Sequence, residues 1–495
     1  MGKTILLCSI DDPLFVDIGQ SLAKRGVNVF CTTKNYTSAD LSSKINIPER
    51  NIVSATIFTK PSDEKLEYYY NSGIENFSSA IWNSQNECFH SFYSLIDSLS
   101  VVSNSLQTYQ KLYKRIFLYW LGFFSRQAID CVFFPSTPNQ GWDNILFYIA
   151  RSMKIKTRVL FRTSLADRVF FSIGYGLDEE ENLPVKIKSS TDKYDFENEN
   201  YTYRKSSWGN YSNLRNEIAI EGSAQDNFVS IKNKTENKKF KALEKKFEAV
   251  NEKTSFFLNS NNIVNQNFIY KRYLDHVKKL RQFYDDNTSS FLRDCPFIIV
   301  ALHCDPGRTT QPEAGVFEDQ FLAIQILERA LPEDWCIYLK EHPRQFDKRR
   351  SSIKQLHYRS IDDYNRLLSL KKVKLLPVTT NLSNIIVHAQ AAMTCTGSIG
   401  WEALEKGVPA IVFGKPWYSG CDSCYPVASV FECKRVMKEL SHKTTVSVQD
   451  DVRNFLKRFY PKTFLGTTRY MFTELSEISY DKLLNSMVKN FLNAV

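Results

Sequence analysis

Short apolar runs, separated by stretches with apolar residues at helical spacing, recur in two regions of this chain. In the first, residues 4–9 form an apolar run, residues 11–24 carry Leu14, Ile18 and Leu22, and residues 27–31 form a second run after Gly26. Run, helix, run is the opening of a doubly wound α/β sheet. Runs at 131–135 and 156–161 predict two more strands, and the spacing over 79–127 predicts helix. In the second region, residues 297–302, 335–339, 373–376, 391–395 and 409–413 are the short runs. Helices are predicted between them over 318–330, 382–389 and 398–406. Alternation of this kind implies a parallel sheet.

The pattern breaks between these regions. Residues 177–253 hold few aliphatic side chains and read as a polar insertion, with 232–253 a Lys/Glu-rich solvated helix. Residues 270–284 return to an amphipathic helix. The expected organisation is a Rossmann-like domain over 1–175, a polar insertion with connecting helices over 176–295, and a second Rossmann-like domain over 296–450. Helices over 451–495 complete it, expected to pack back on the first domain.

Composition narrows the class. With 495 residues, 43% hydrophobic and 24% charged, the chain holds enough apolar material for two or three domain cores. A net charge of +10 favours anionic substrates or an anionic membrane surface, and no nucleic-acid-binding signature accompanies it. The 11 cysteines are scattered, and Cys421-x-x-Cys424 has no second pair or His cluster near it, so no zinc site is expected. Reduced thiols and a start that runs straight into a strand lead us to expect a cytoplasmic protein. The longest apolar run, 116–124, is about half of what spans a bilayer. It reads as a buried helix, and flanking Lys114, Arg115 and Arg126 raise the alternative of an interfacial face.

Candidate chemistry gathers at strand ends. The run at 335–339 finishes in Lys340, Glu341 and His342 before turning at Pro343, and ligands of open α/β sheets sit beyond such ends. Lys340 and His342 share a strand face, whereas Glu341 is expected to point away. Residues 393–402 read as strand, turn (Thr396, Gly397), then a helix opening at Ser398 with Glu402 one turn in. Free N–H groups and the helix dipole at such a turn hold phosphate. The bland alternative is an ordinary helix cap. The loop 303–315, with Asp305, Arg308, Thr309, Thr310 and Glu313, is long for its place. Trp417 and Tyr418, after another strand end, offer rings for a base or simply for the core. In the first region the turn after the first strand is acidic (Asp11, Asp12) and lacks the dinucleotide fingerprint. Asp143 and the group Arg162, Asp167 and Arg168 follow successive strands and are expected to converge on one edge. For each alone, a cap or surface ion pair is the competing role.

Lys340-Glu341-His342-Pro343, the 396–404 stretch, Gly407 to Gly414 and Trp417-Tyr418 together resemble the bacterial capsule polysaccharide biosynthesis family. That family includes Kdo (3-deoxy-manno-octulosonic acid) transferases using CMP-Kdo, and its His-Pro motif is similar to that of bacterial sialyltransferases. The resemblance covers 297–420 well and 131–170 more loosely. It implies a GT-B architecture, with two Rossmann-like domains facing a cleft and the donor on the C-terminal one. Lys340, His342, Thr396, Gly397, Ser398, Glu402, Thr309 and Thr310 would then bind the donor nucleotide. Asp143, Asp167 and Asp11, in that order, are the carboxylates expected to act with His342 in catalysis. The implied activity moves a 2-keto-3-deoxy sugar acid (Kdo or a related nonulosonic acid) from its CMP-activated donor to a bacterial surface glycan. No metal or other cofactor is expected. The implied partners are the CMP-sugar donor, a glycan or lipid-linked acceptor and the inner membrane surface. Two alternatives stand: a UDP-sugar transferase or epimerase of the same architecture, and a non-catalytic glycan-binding subunit.

Overall fold

The protein is described from a computed structural model, which covers residues 2–58, 64–99, 105–175, 184–185, 266–346, 358–476 and 478–495. The polar insertion expected over 176–295 lies mostly outside these residues, as does its helix at 232–253. The chain divides into two compact units. Among the described residues, one holds everything up to 185 together with 457–495, and the other holds 266–456.

The first unit is built on a seven-stranded sheet: β1 (Thr4–Leu7), β2 (Asn28–Thr33), β3 (Ile52–Ser54), β4 (Cys131–Phe134), β5 (Lys156–Arg162), β6 (Arg168–Ser172) and β13 (Phe464–Leu465). Its order is β13-β6-β5-β4-β1-β2-β3. Strands β1 to β5 are parallel, whereas β6 runs antiparallel to both β5 and β13. The chain leaves β1 toward β2 and β3, then returns to place β4 on β1's other side. The β1–β4 boundary is therefore a topological switch point.

Both faces of this sheet are covered. On one, Leu6, Phe30, Val132 and Phe134 pack with the aromatic-rich helix Leu106–Arg126, in which residues 116–124 are buried apart from a partly buried Leu118. On the other, Phe133 and Phe171 meet Phe491 of the C-terminal helix Tyr480–Ala494, with centroids 4.6 and 4.9 Å apart. Strand β13 adds the antiparallel edge. The helix Leu106–Arg126 sits unusually close to helix Glu64–Glu75. A Cβ on Gly122 would lie 1.8 Å from the Tyr69 carbonyl oxygen, and one on Gly73 would lie 1.9 Å from that of Leu118. Backbone touches backbone there, so only glycine fits.

The second unit has a six-stranded parallel sheet: β7 (Phe297–Ala301), β8 (Cys336–Lys340), β9 (Val373–Leu376), β10 (Ala391–Thr394), β11 (Ala410–Val412) and β12 (Cys424–Pro426), ordered β12-β11-β10-β7-β8-β9. Its strands are apolar on both faces, as buried parallel strands must be. The reversal now falls between β7 and β10, giving this unit its own switch point. The fold is thus GT-B-like in content: two doubly wound α/β units, each with its own core. Among the described residues, no helix is long and apolar enough to cross a membrane.

Candidate functional site

In the second unit, the loops after β7, β8 and β10 belong to neighbouring strands, and the sequence-selected residues of this unit lie on them. The helix Ser398–Glu405 follows β10 and opens without a side-chain cap, with an exposed Ser398 at its first position. Ser398 Oγ donates to Glu402 Oε1 at 3.2 Å. Lys340, the last residue of β8, donates from Nζ to the Thr380 carbonyl at 2.9 Å. Burial pushes its ammonium down to about 8, against the opposing pull of the Glu402 carboxylate. Burial also raises the Glu402 carboxyl, which Ser398, Lys406 and Lys340 draw back down. Lys340, Ser398 and Glu402 therefore form one electrostatic group, assembled from the ends of β8 and β10 on either side of β7.

His342 is partly buried, and its Nδ1 accepts from the Arg344 N–H at 3.1 Å. That bond assigns the proton of a neutral ring to Nε2. Pro343 to Phe346 form a short 3-10 turn that sets this geometry.

Hydrogen bonding within the loops gives other expected donor residues a part in the scaffold. Thr310 is 1% exposed, and its hydroxyl donates to Asp305 Oδ1 at 2.6 Å, which makes it a loop staple and not a ligand surface. The Thr396 N–H donates to His303 Nε2 at 3.2 Å, and the Thr396 hydroxyl donates to the Thr309 carbonyl at 2.7 Å. The Gly397 N–H donates to Thr394 Oγ1 at 3.1 Å. Thr309, Thr396 and Gly397 thus shape the turn from within, and the amides presented outward begin at Ser398. Tyr418 is buried and its hydroxyl donates to the Gly397 carbonyl, while Trp417 packs on Trp401 with centroids 4.4 Å apart. Both belong to the support of the turn, not to a base platform.

Sequence reasoning missed what holds these loops in register. Arg359 is buried and donates from Nη1 to Asp305 Oδ2 at 2.7 Å, from Nε to Glu341 Oε2 at 2.9 Å and from Nη2 to the His303 carbonyl at 3.1 Å. Glu341 is fully buried and accepts from Tyr364 Oη and from the His342 N–H, at 2.7 and 2.6 Å. Gln320 and Thr310 complete Asp305. Burial opposes the Arg359 charge, but Glu341 and Asp305 outweigh it and hold the guanidinium firmly protonated. The cluster ties the β7 loop to the β8 loop, with each carboxylate saturated. Losing one member would strand a buried charge at about 3–5 kcal/mol. Glu341 does point away from Lys340 and His342, and it aims their backbone. Nothing in the polar sequence around Arg359 marks it, because its partners lie 18 and 54 residues away.

His303, also missed, is buried at the switch point, and burial pushes its imidazole down to about 4. It accepts from Thr396 and stands 3.0 Å from Thr394 Oγ1, so it is a neutral hinge pin between the β7 and β10 loops. A Cβ on Gly397 would lie 3.0 Å from His303 Cε1 and 2.7 Å from Thr394 Oγ1. The glycine is required by this close approach.

The first unit presents its carboxylates separately. Asp11 follows β1 and Asp143 follows β4, so they flank that unit's switch point. Asp143 is 4% exposed, and burial raises its carboxyl to about 6, against a bond from the Gln140 N–H and the charge of Lys34. Asp11 Oδ1 accepts from Thr33 Oγ1, Lys34 N and Asn35 N at 2.6, 2.8 and 2.9 Å, which makes it a staple of the β2 loop. Asp167 departs from expectation. It lies at φ +50° in the hairpin turn joining β5 to antiparallel β6, two strands from β1. Arg168 is buried in β6 beside Tyr460, and Arg162 lies over the Phe472 ring at 4.1 Å. The group Arg162, Asp167 and Arg168 is therefore built around the β5–β6 hairpin, beyond the end of the strand next to β4, which Asp143 follows. The sequence read one strand and a polar end where the chain folds into a hairpin.

Among solved structures, the chain is similar to the UDP-GlcNAc 2-epimerase of Methanocaldococcus jannaschii, at 13% identity over 92% of this chain and 99% of that one, with a TM-score of 0.25. It is also similar to the beta Kdo 2,4 transferase KpsC of Thermosulfurimonas dismutans, at 12% identity over 73% and 88%, with a TM-score of 0.29. A third match, an E. coli trehalose-6-phosphate structure bound with UDP-2-fluoro glucose, has 12% identity over 96% and 99% and a TM-score of 0.29. Identities and scores this low say nothing about the chemistry of this chain. No curated protein sequence matches significantly. The profile of the family described as capsule polysaccharide biosynthesis protein matches residues 237–422. That segment carries β7 to β11 and all the switch-point residues of the second unit, so the similarity to this family rests on the second unit.

Proposed function

We propose that this protein is a glycosyltransferase that moves a 2-keto-3-deoxy sugar acid, Kdo or a related nonulosonic acid, from its CMP-activated donor to a bacterial surface glycan. The observation that carries this reading is the cation-bearing group at the second switch point. Lys340 and His342 at the end of β8 and the amides from Ser398 after β10 flank β7, inside the segment matched by the capsule family. In this reading the bond from the anomeric carbon to the CMP phosphate breaks and the phosphate oxygen keeps the electron pair. The helix N-terminus, the Lys340 ammonium and a proton on His342 Nε2 stabilise that developing charge. A single phosphate needs only this small set of donors, so the reaction is read as metal-independent.

The acceptor hydroxyl forms the new bond and must lose its proton to a carboxylate if configuration inverts; if it is retained, the carboxylate is instead the nucleophile. Asp143 is the preferred residue. Its carboxyl titrates near 6 and is ionised at neutral pH with more basicity than an ordinary aspartate. Asp11 is occupied by three loop donors and Asp167 by its hairpin position, so both rank behind it. A peripheral contact with the cytoplasmic membrane face, where a lipid-linked acceptor would reside, fits the basic surface.

A thermal-shift titration with CMP, CDP, UMP and UDP tests the donor. CMP is expected to raise the melting temperature more than UMP or UDP, and His342→Ala to abolish the shift. Turnover of a CMP-sugar acid should fall by roughly 10²–10⁴-fold in Asp143→Asn. Stabilisation by UDP in place of CMP would replace this reading with a UDP-sugar transferase or epimerase.

A further inference from the structure

The first unit has a cavity of about 250 Å³, lined by Trp82, Gln85, Phe89, Gln110, Tyr113 and Lys114. It lies among the helices Ser79–Asn83, Asn86–Leu99 and Leu106–Arg126, not at the strand ends that carry Asp11 and Asp143. Three rings frame it. Trp82 and Phe89 meet Tyr113 edge to face, with centroids 5.7 and 5.3 Å apart. The Lys114 ammonium lies 5.9 Å above the Trp82 ring.

The wall also carries an unmet hydrogen-bonding group. Gln85 is 2% exposed, and its Nε2 donates to Ser152 Oγ and Ser84 Oγ at 2.7 and 3.1 Å, while its Oε1 has no partner. Turning the amide over would leave its NH₂ unmatched in the same place, so the deficit does not depend on which way round it is drawn. A buried amide with half its capacity unused costs about 1–3 kcal/mol, and this oxygen is closed to the cavity as the side chain stands.

We infer that this cavity is a second carbohydrate site, which seats one pyranose ring bearing a carboxylate. The volume is below that of a typical drug-sized site, roughly 300–1,000 Å³, so it suits a single ring and excludes a nucleotide sugar. Aromatic faces are electron-rich and attract the C–H-bearing face of a pyranose. The exposed Gln110 amide matches a ring hydroxyl, and Lys114 is the charged group for the acid, with no carboxylate in the lining to repel it. The inference stands apart from the donor reading, since it uses none of the switch-point residues. A site of this kind would hold the growing acidic glycan while its end is extended elsewhere.

Isothermal titration of the full chain with glucuronic acid, N-acetylneuraminic acid and glucose, with and without saturating CMP, provides the test. The acids should bind with dissociation constants of about 0.1–10 mM, with glucose at least about tenfold weaker, and CMP should not displace them. Trp82→Ala and Lys114→Met, one partly buried and one exposed, should each weaken the acids about tenfold or more. No binding by the wild type overturns the proposal, as does displacement by CMP or binding that both variants leave unchanged. Glucose binding as tightly as the acids overturns the assigned role of Lys114. If the chain binds anionic vesicles through Trp82 and Lys114 but none of the sugars, the surface is a membrane contact and the proposal fails. Failure of the donor experiments would leave this result intact, because His342→Ala does not touch the cavity.

Discussion

Lys340 is the proposed donor-site residue whose charge its environment alters most. An ordinary lysine is charged at every physiological pH. Burial at the end of β8 brings this one down to about 8. The folded protein therefore binds fewer protons at this site above that pH, and any anion that needs the ammonium is bound less well as pH rises through it. CMP affinity should fall above about pH 8, where the phosphate is already fully ionised, by at most about tenfold per pH unit. Lys340→Arg should flatten the profile and Lys340→Met should lower affinity about tenfold or more at pH 7, both read by calorimetric titration. A flat wild-type profile would remove Lys340 from the phosphate site. The position of Lys340 and His342 at the end of β8 was legible in the strand-end pattern. The saturation of Thr310, Thr396 and Gly397 was not, because hydrogen-bond partners such as His303 and Asp305 come from another loop.

At the scale of elements, the close pair of helices Glu64–Glu75 and Leu106–Arg126 makes the sharpest demand. Gly73 and Gly122 let two backbones meet, and no side-chain movement relieves a contact made by a carbonyl oxygen. Gly122→Ala should cost about 2–3 kcal/mol in urea denaturation, at the upper end of what overpacking does. Gly26 is the contrast. Its φ is +79° but nothing lies within 4 Å of its Cβ position, so Gly26→Ala should cost only about 1 kcal/mol, from backbone strain alone. Equal effects of the two substitutions would sink this account. Apolar spacing predicted helix over 79–127 and a buried helix at 116–124, and it could not reveal which helix lies against it.

For the whole molecule, each unit has its own sheet and its own core, and the described parts are joined through the region 186–265 and again near 457. Two unfolding transitions are expected in calorimetry of the full chain. CMP should raise the transition of the second unit and leave the other within about 1 °C, by mass action on the unit that binds it. Arg359→Met, which strands Asp305 and Glu341 in the second unit, should lower that same transition and so identify it. A single transition that both perturbations move would show that the units unfold as one.

Apolar runs and helical spacing were enough to mark both doubly wound units, since burying a parallel strand on two faces demands a continuous apolar run. The placement of Lys340, His342, Ser398 and Glu402 at strand ends was also readable from the chain, because polar residues directly follow an apolar run there. Strand order was not readable. Adjacency of β1 with β4 and of β7 with β10 arises from long-range pairing, and it alone decides that the β7 and β10 loops meet at His303. The same holds for β6, where the turn at Asp167 sends the chain back along β5, and for Arg359, whose carboxylates are neighbours only in space. Local sequence determines which segments become strands and helices. The tertiary fold decides which of their ends touch, and with that which polar groups are spent on the scaffold and which remain for a ligand.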